Sequence, residues 1–288
     1  MKLQLKLIAA AVAIAAAGQA GAVTGTGDFT SGNGDLIFTA WDNVANVSYT
    51  RDLGVTMSNF LTGTTGATPA AFAHSNSGVD AAGYSALFAA DANMASFLGQ
   101  VTAANVQWSV IAGDSAIVRG GSAYGGYRYL TTTTADKSGI ASQANSKLTS
   151  FTAANVYVTA AVPAGGSTIA NSASGAAYAD NVALNGMGNN WGNNFVAANT
   201  AGVGQSQNFF FLTPSDSVNT DKAFIDQYSN QYGNSTWTLS STGNLTYAAA
   251  TAPVPEADTW AMFGVGLLAI GAAVRRSGRQ PKIFKELA

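Results

Sequence analysis

Cysteine is missing from all 288 residues, which excludes disulfides, thiolate metal ligands and a cysteine nucleophile together. Histidine is nearly missing as well. His74 stands alone, so the three or four nitrogen or sulfur ligands of a zinc site cannot be assembled from this chain. Charged residues make up only 10% of the sequence, well under half the usual share. Glutamate occurs only at Glu256 and Glu286. With Gly, Ala, Ser, Thr and Asn abundant and Asp the acid of choice, the composition suits strands and turns better than long solvated helices.

The few charges are unevenly spread. Between Val23 and Ala252 there are six Lys or Arg against twelve Asp, a net of −6. An acidic body lacks the basic footprint that neutralises phosphates, so no nucleic-acid partner is expected. The basic cluster Arg275, Arg276, Arg279, Lys282 and Lys285 lies beyond an apolar segment near the C-terminus.

Both ends read as addresses. Lys2 and Lys6 precede the uncharged run Leu7 to Ala17, then Gly18, Gln19 and the small residues Ala20-Gly21-Ala22. Charge, short apolar stretch and small residues in that order are a secretory signal, so residues 1–22 are expected to be removed by signal peptidase, after Ala22 or after Ala20. Near the other end, Thr259 to Val274 carries no charge; Glu256 and Asp258 precede it and Arg275-Arg276 follow. Sixteen residues of helix at ~1.5 Å each span about 24 Å, close to a ~30 Å hydrocarbon core, and the reading is a transmembrane helix over 259–274. Basic residues after it and acids before it put the body outside the cytoplasm, in agreement with the signal.

The run Val254-Pro255-Glu256-Ala257, the Gly-rich apolar segment behind it and the pair Arg275-Arg276 resemble the PEP-CTERM sorting signal, over residues 254–279. Ala257 stands where that pattern most often has Pro, and residues 280–288 form a longer cytoplasmic tail than usual. The resemblance implies a substrate of an exosortase, a membrane cysteine protease-transpeptidase that would cut near Pro255-Glu256. None of the motif's residues would then be catalytic in this chain. It also implies an inner-membrane-anchored intermediate with the body in the periplasm, then delivery to the cell surface or matrix of exopolysaccharide-making bacteria.

Residues 23–247 are expected to form one exported domain, mainly antiparallel β and sandwich-like with a few short helices packed on it, the alternative being α+β; residues 248–253 read as a linker. Short runs rich in β-branched and aromatic residues mark strands at Leu36 to Trp41, Val47 to Thr50, Val106 to Ala112, Tyr127 to Thr132, Val156 to Ala161, Asn208 to Leu212, Thr236 to Ser240 and Leu245 to Tyr247. Helical spacing places one helix at Leu87, Asp91, Met94 and Leu98 and another at Ile140, Ala144, Leu148 and Phe151. Each precedes the same phrase, Thr102-Ala103-Ala104-Asn105-Val106 and Thr152-Ala153-Ala154-Asn155-Val156.

Candidate chemistry is thin. Gly113-Asp114-Ser115 resembles the nucleophile block of GDSL hydrolases, but His74 lies upstream, and without a base a serine stays a weak alcohol. Calcium needs only oxygen ligands, which makes Asp28, Asn33 and Asp35 in their Gly-rich loop a weak candidate site; the spacing fits no EF-hand. Rings beside amides can stack on sugars, which nominates Trp191 and the cluster Tyr124, Tyr127 and Tyr129 as glycan contacts, against core burial as the alternative. No cofactor is expected. The reading is a non-enzymatic exported surface or matrix protein, with signal peptidase, an exosortase-like enzyme and the membrane as partners and exopolysaccharide as a further candidate. Its alternatives are a carbohydrate-binding module and, behind that, a secreted hydrolase.

Overall fold

A nearly continuous apolar run such as Leu36-Ile37-Phe38-Thr39-Ala40-Trp41 lets a strand bury both faces, its even-numbered residues in one core and Ile37 and Trp41 in another. The computed structural model describes residues 34–57, 60, 85–114, 128–135, 157–162, 166–180, 201–213, 222–230, 232–250 and 257–277. They fall into two units, residues 1–250 and 251–288. The first holds β1 (Asp35–Asp42), β2 (Val47–Thr56), β3 (Ser85–Phe88), α1 (Ala92–Leu98), β4 (Gln107–Asp114), β5 (Arg128–Thr133), a helical segment α2 (157–161) and β6 (Ser167–Asn171). It continues with β7 (Ser206–Thr213), β8 (Phe224–Gln227), β9 (Ser229–Asn230), β10 (Gly233–Asn234), β11 (Thr236–Leu239) and β12 (Leu245–Ala248). The second unit holds α3 (Ala257–Ser277).

The unit is mainly antiparallel β with few short helices, and its strands form one curled sheet, a half-barrel. The order is β3-β12-β11-β7-β5-β4-β1-β2-β6, with β8 beside the C-terminal half of β7 and β9-β10 a separate ribbon. One sheet with covers on its two faces takes the place of the two sheets of a sandwich. Its inner face gathers an aromatic core: Phe60 lies 5.0 Å from Tyr247, 5.3 Å from Phe209, 5.6 Å from Tyr228 and 5.8 Å from Trp237 between ring centroids. Phe38 meets Trp108 edge-on in the same cluster, and the indole N–H of Trp108 donates to the Gly202 carbonyl at 3.0 Å. Such ring pairs add to the ~1.5–3 kcal/mol that full burial of each large side chain contributes.

The helix α1 ties the two ends of the sheet together. Met94 and Phe97 sink into the inner core. Asp91 caps the helix by accepting from the Met94 N–H at 2.8 Å, and also accepts from the Tyr49 hydroxyl of β2 at 2.9 Å. Burial works to raise the Asp91 pKa, but the Met94 N–H, Ser167, Tyr49 and the Arg51 charge outweigh it and hold that carboxyl below its ordinary value. Asn93 donates to the Ser167 carbonyl on edge strand β6, while Asn244 before β12 accepts from the Ala90 N–H at 2.9 Å. At Gly243 φ is +84°, and an added Cβ would stand 2.4 Å from Cγ of Met94; only glycine lets the β11–β12 turn seat against α1.

Most strands lie where the pattern put them, and the departures are informative. Leu87 and Phe88, expected in a helix, belong to edge strand β3, and the helix begins only after Asp91. Val156 to Ala161, expected as a strand, is helical over 157–161: Tyr157, Val158 and Ala161 share one helix face and cover the outer face of the sheet, so packing overrides β propensity. Gly113 and Asp114 of the hydrolase-like tripeptide are the last two residues of β4. The helix expected at Ile140 to Phe151 lies outside the described residues.

Candidate functional site

The helix α3 follows from its residues. Ala, Leu and Met are good helix formers, Pro255 just upstream biases the chain toward starting a helix rather than continuing one, and Arg275 and Arg276 complement the negative helix end. At 21 residues it is ~32 Å long. Met262, Val265, Leu267, Leu268, Ile270 and Val274 are all more than half exposed, and at ~100° per residue they point to every side. Apolar residues therefore ring the helix instead of forming a single face.

The sequence suggested a membrane span at 259–274, and the helix covers those residues. No helix among the described residues is long and apolar enough to cross a membrane. Ala257 opens the helix and Arg275 and Arg276 lie in its last turn; Val254, Pro255 and Glu256 lie outside the described residues.

That helix, with the residues leading into it, coincides with a known signal: residues 253–277 match the family model described as the PEP-CTERM protein-sorting motif. The C-terminal segment is a PEP-CTERM sorting motif. No curated protein and no solved structure matches the chain. A PEP-CTERM motif implies an exported protein sorted through a membrane exosortase, by way of a membrane-anchored intermediate processed to the surface.

The body's candidate residues have different fates. Asp35 opens β1 and is almost wholly buried, facing outward from the sheet beside Asp52 of β2. Its pKa is pushed up to about 7 by burial, by the neighbouring Asp52 charge and by the hydrogen bond it shares with Asp52. The pair forms where β2 bulges: the register slips between Asp35 and Ile37, and Gly54, at φ +66°, absorbs the extra residues. Asp28 and Asn33, the other two calcium candidates, lie outside the described residues. Among the described residues no group of three or more His, Cys, Asp or Glu could hold a metal ion. Sequence reasoning missed the Asp52 partner, although the alternation Ser48, Thr50, Asp52 along β2 was the signal for it.

Tyr129 is fully buried in β5, packed in the cluster with Ile37, Trp41 and Phe210. Burial pushes its phenol well above the ordinary range. It presents no ring to a sugar, so the glycan-contact reading is corrected for this residue. Tyr124, Tyr127 and Trp191 lie outside the described residues, as do residues 1–33 with the signal and the cleavage positions Ala20 and Ala22.

The outer face of the sheet carries a different arrangement. Over β1, β2, β4 and β5 it is roofed by α2, where the Tyr157 hydroxyl reaches Thr39 at 3.2 Å and bonds Thr50, and by Ala179, whose N–H donates to Ser48 at 3.1 Å. Over β3, β12, β11 and the start of β7 the outward residues are Ser85 and Leu87, Thr246 and Ala248, Thr236 and Thr238, and Ser206 and Asn208, each exposed or half-buried. The register aligns them in two rows. Leu87, Thr246, Thr238 and Ser206 form one; Ser85, Ala248, Thr236 and Asn208 form the other.

Proposed function

We propose that this protein is a non-enzymatic structural component of the bacterial surface or extracellular matrix, exported, held briefly at the membrane and released to its place by exosortase processing. The carrying observation is the PEP-CTERM match over residues 253–277. The association with an exopolysaccharide or biofilm layer follows from that class of signal and is part of the proposal.

The arginines are the natural test. A basic end orients the segment before the enzyme acts on it, so Arg275→Glu with Arg276→Glu is expected to leave unprocessed full-length chain in the membrane fraction. Intact mass of the protein from a host with and without its exosortase reads the result. In the wild type both ends are lost only when the enzyme is present. Full-length chain in the cytosol with both termini intact would overturn the proposal.

A further inference from the structure

The hydroxyl rows on the open half of the outer face need an explanation that packing does not supply. The strands β3, β11, β12 and β7 contain no Lys, Arg, His, Asp or Glu. Their inward residues, Phe88, Trp237, Leu239, Leu245, Tyr247 and Phe209, belong to or pack against the inner core. Six of the eight outward residues in the two rows are Ser, Thr or Asn. Adjacent strands lie ~4.8 Å apart and successive outward residues along a strand ~6.8 Å apart. Two rows over four strands therefore make a grid of about 14 Å by 7 Å. A serine or threonine hydroxyl is both donor and acceptor, and an amide offers both kinds of group. The grid is held in place by the ladder and by the Ser206–Thr238 hydroxyl contact at 2.9 Å.

We propose that this face binds a neutral polysaccharide strand, its hydroxyls exchanging hydrogen bonds with Thr236, Thr238, Thr246, Ser206 and Asn208. Charge complementarity selects the ligand class. An acidic polymer or a nucleic acid calls for Lys or Arg, and none stands on these four strands. A second copy of the chain would call for an apolar interface core, and here only Leu87 and Ala248 are apolar. A neutral glycan needs what the grid has, uncharged donors and acceptors in a repeating array. Each bond adds little against water, so binding of one short oligosaccharide is weak and retention on a polymer comes from repetition along it. The inference rests on the surface-delivery reading for its biology, though not for its chemistry.

The experiment is co-sedimentation of the full-length chain, purified in mild detergent, with amorphous cellulose and with curdlan, and with alginate beads as the acidic counter-probe. Retention on a neutral polymer is expected. It should fall at least tenfold in Thr238→Glu with Thr246→Glu, and several-fold in Thr238→Ala with Thr246→Ala, whose outward methyls leave the ladder intact. Thermal melts by circular dichroism establish that both variants fold. Failure of the wild type to bind either neutral polymer overturns the proposal, as does equal retention of the folded variants or retention on alginate alone. Sedimentation showing self-association that disappears in Thr238→Glu would assign the face to a second copy instead and also overturn it. Binding in a chain that is never exported would leave this surface standing and remove the delivery reading, so the two fail separately.

Discussion

The two halves of the sheet's outer face use the same residue types to opposite ends. Under α2, Thr39, Ser48, Thr50, Ser109 and Thr131 are sealed from water; on β11 and β12, Thr236, Thr238 and Thr246 stay half-exposed in the same alternation. A buried hydroxyl must find a partner or cost free energy, whereas an exposed one keeps water until a ligand replaces it. Whether a threonine serves the fold or a ligand is therefore decided by what packs over it. The inner face, by contrast, carries a continuous aromatic and aliphatic core and fixes the sheet that both halves share.

The largest effect should come from that shared inner face. Phe60 touches four rings there, and Phe60→Ala leaves a cavity that the surrounding aromatics cannot close. A loss of about 3–5 kcal/mol is expected in urea unfolding. A loss under ~1 kcal/mol would mean that the half-barrel does not depend on its aromatic core.

The covered half should respond next, and in a pH-dependent way. Asp35 has a folded pKa raised from 3.8 to about 7, so the folded state holds its proton where the unfolded chain has released it. Its contribution is fully present below about pH 4, declines as pH rises and is gone above about 7. Allowing for residual hydration of the pair, the decline should total roughly 2 kcal/mol. Asp35→Asn should abolish that slope in urea melts taken between pH 4 and 8. An unchanged slope would place the titration elsewhere.

Tyr157→Phe probes the roof itself. It strips the hydroxyl that joins Thr39 and Thr50 across β1 and β2 and leaves their hydroxyls buried. A cost of about 1–2 kcal/mol is expected, with hydrogen exchange faster in β1 and β2 than in β11.

Much of this was legible in the sequence. Short runs of β-branched and aromatic residues located most of the strands, and a Glu-poor composition with Asp as the acid of choice announced strands and turns over long helices. The sorting signal was legible for a different reason, since its order of residues is linear and needs no fold. What could not be read were features set by distant packing. Tyr157 and Val158 have strand propensity but cover a sheet as a helix; Tyr129 sits beside tyrosines in a segment that resembles a surface cluster but points into the core; Asp35 finds Asp52 only because β2 bulges at Gly54. The apolar tail was the converse case. Counting uncharged residues from Thr259 to Val274 gave a span, whereas no helix among the described residues is long and apolar enough to cross a membrane.

The open half should show the smallest effect on stability. Thr238 faces outward on β11, half-exposed, and among the described residues its hydroxyl meets that of Ser206. Thr238→Ala removes one solvent-accessible hydrogen bond and some β propensity, and the stability should change by no more than ~0.5 kcal/mol. Set beside Tyr157→Phe, this measurement decides what the two halves are for. Equal costs would mean that the outward threonines brace the sheet as the covered ones do. A near-zero cost leaves their hydroxyls unspent by the fold, which is the condition a binding surface must meet.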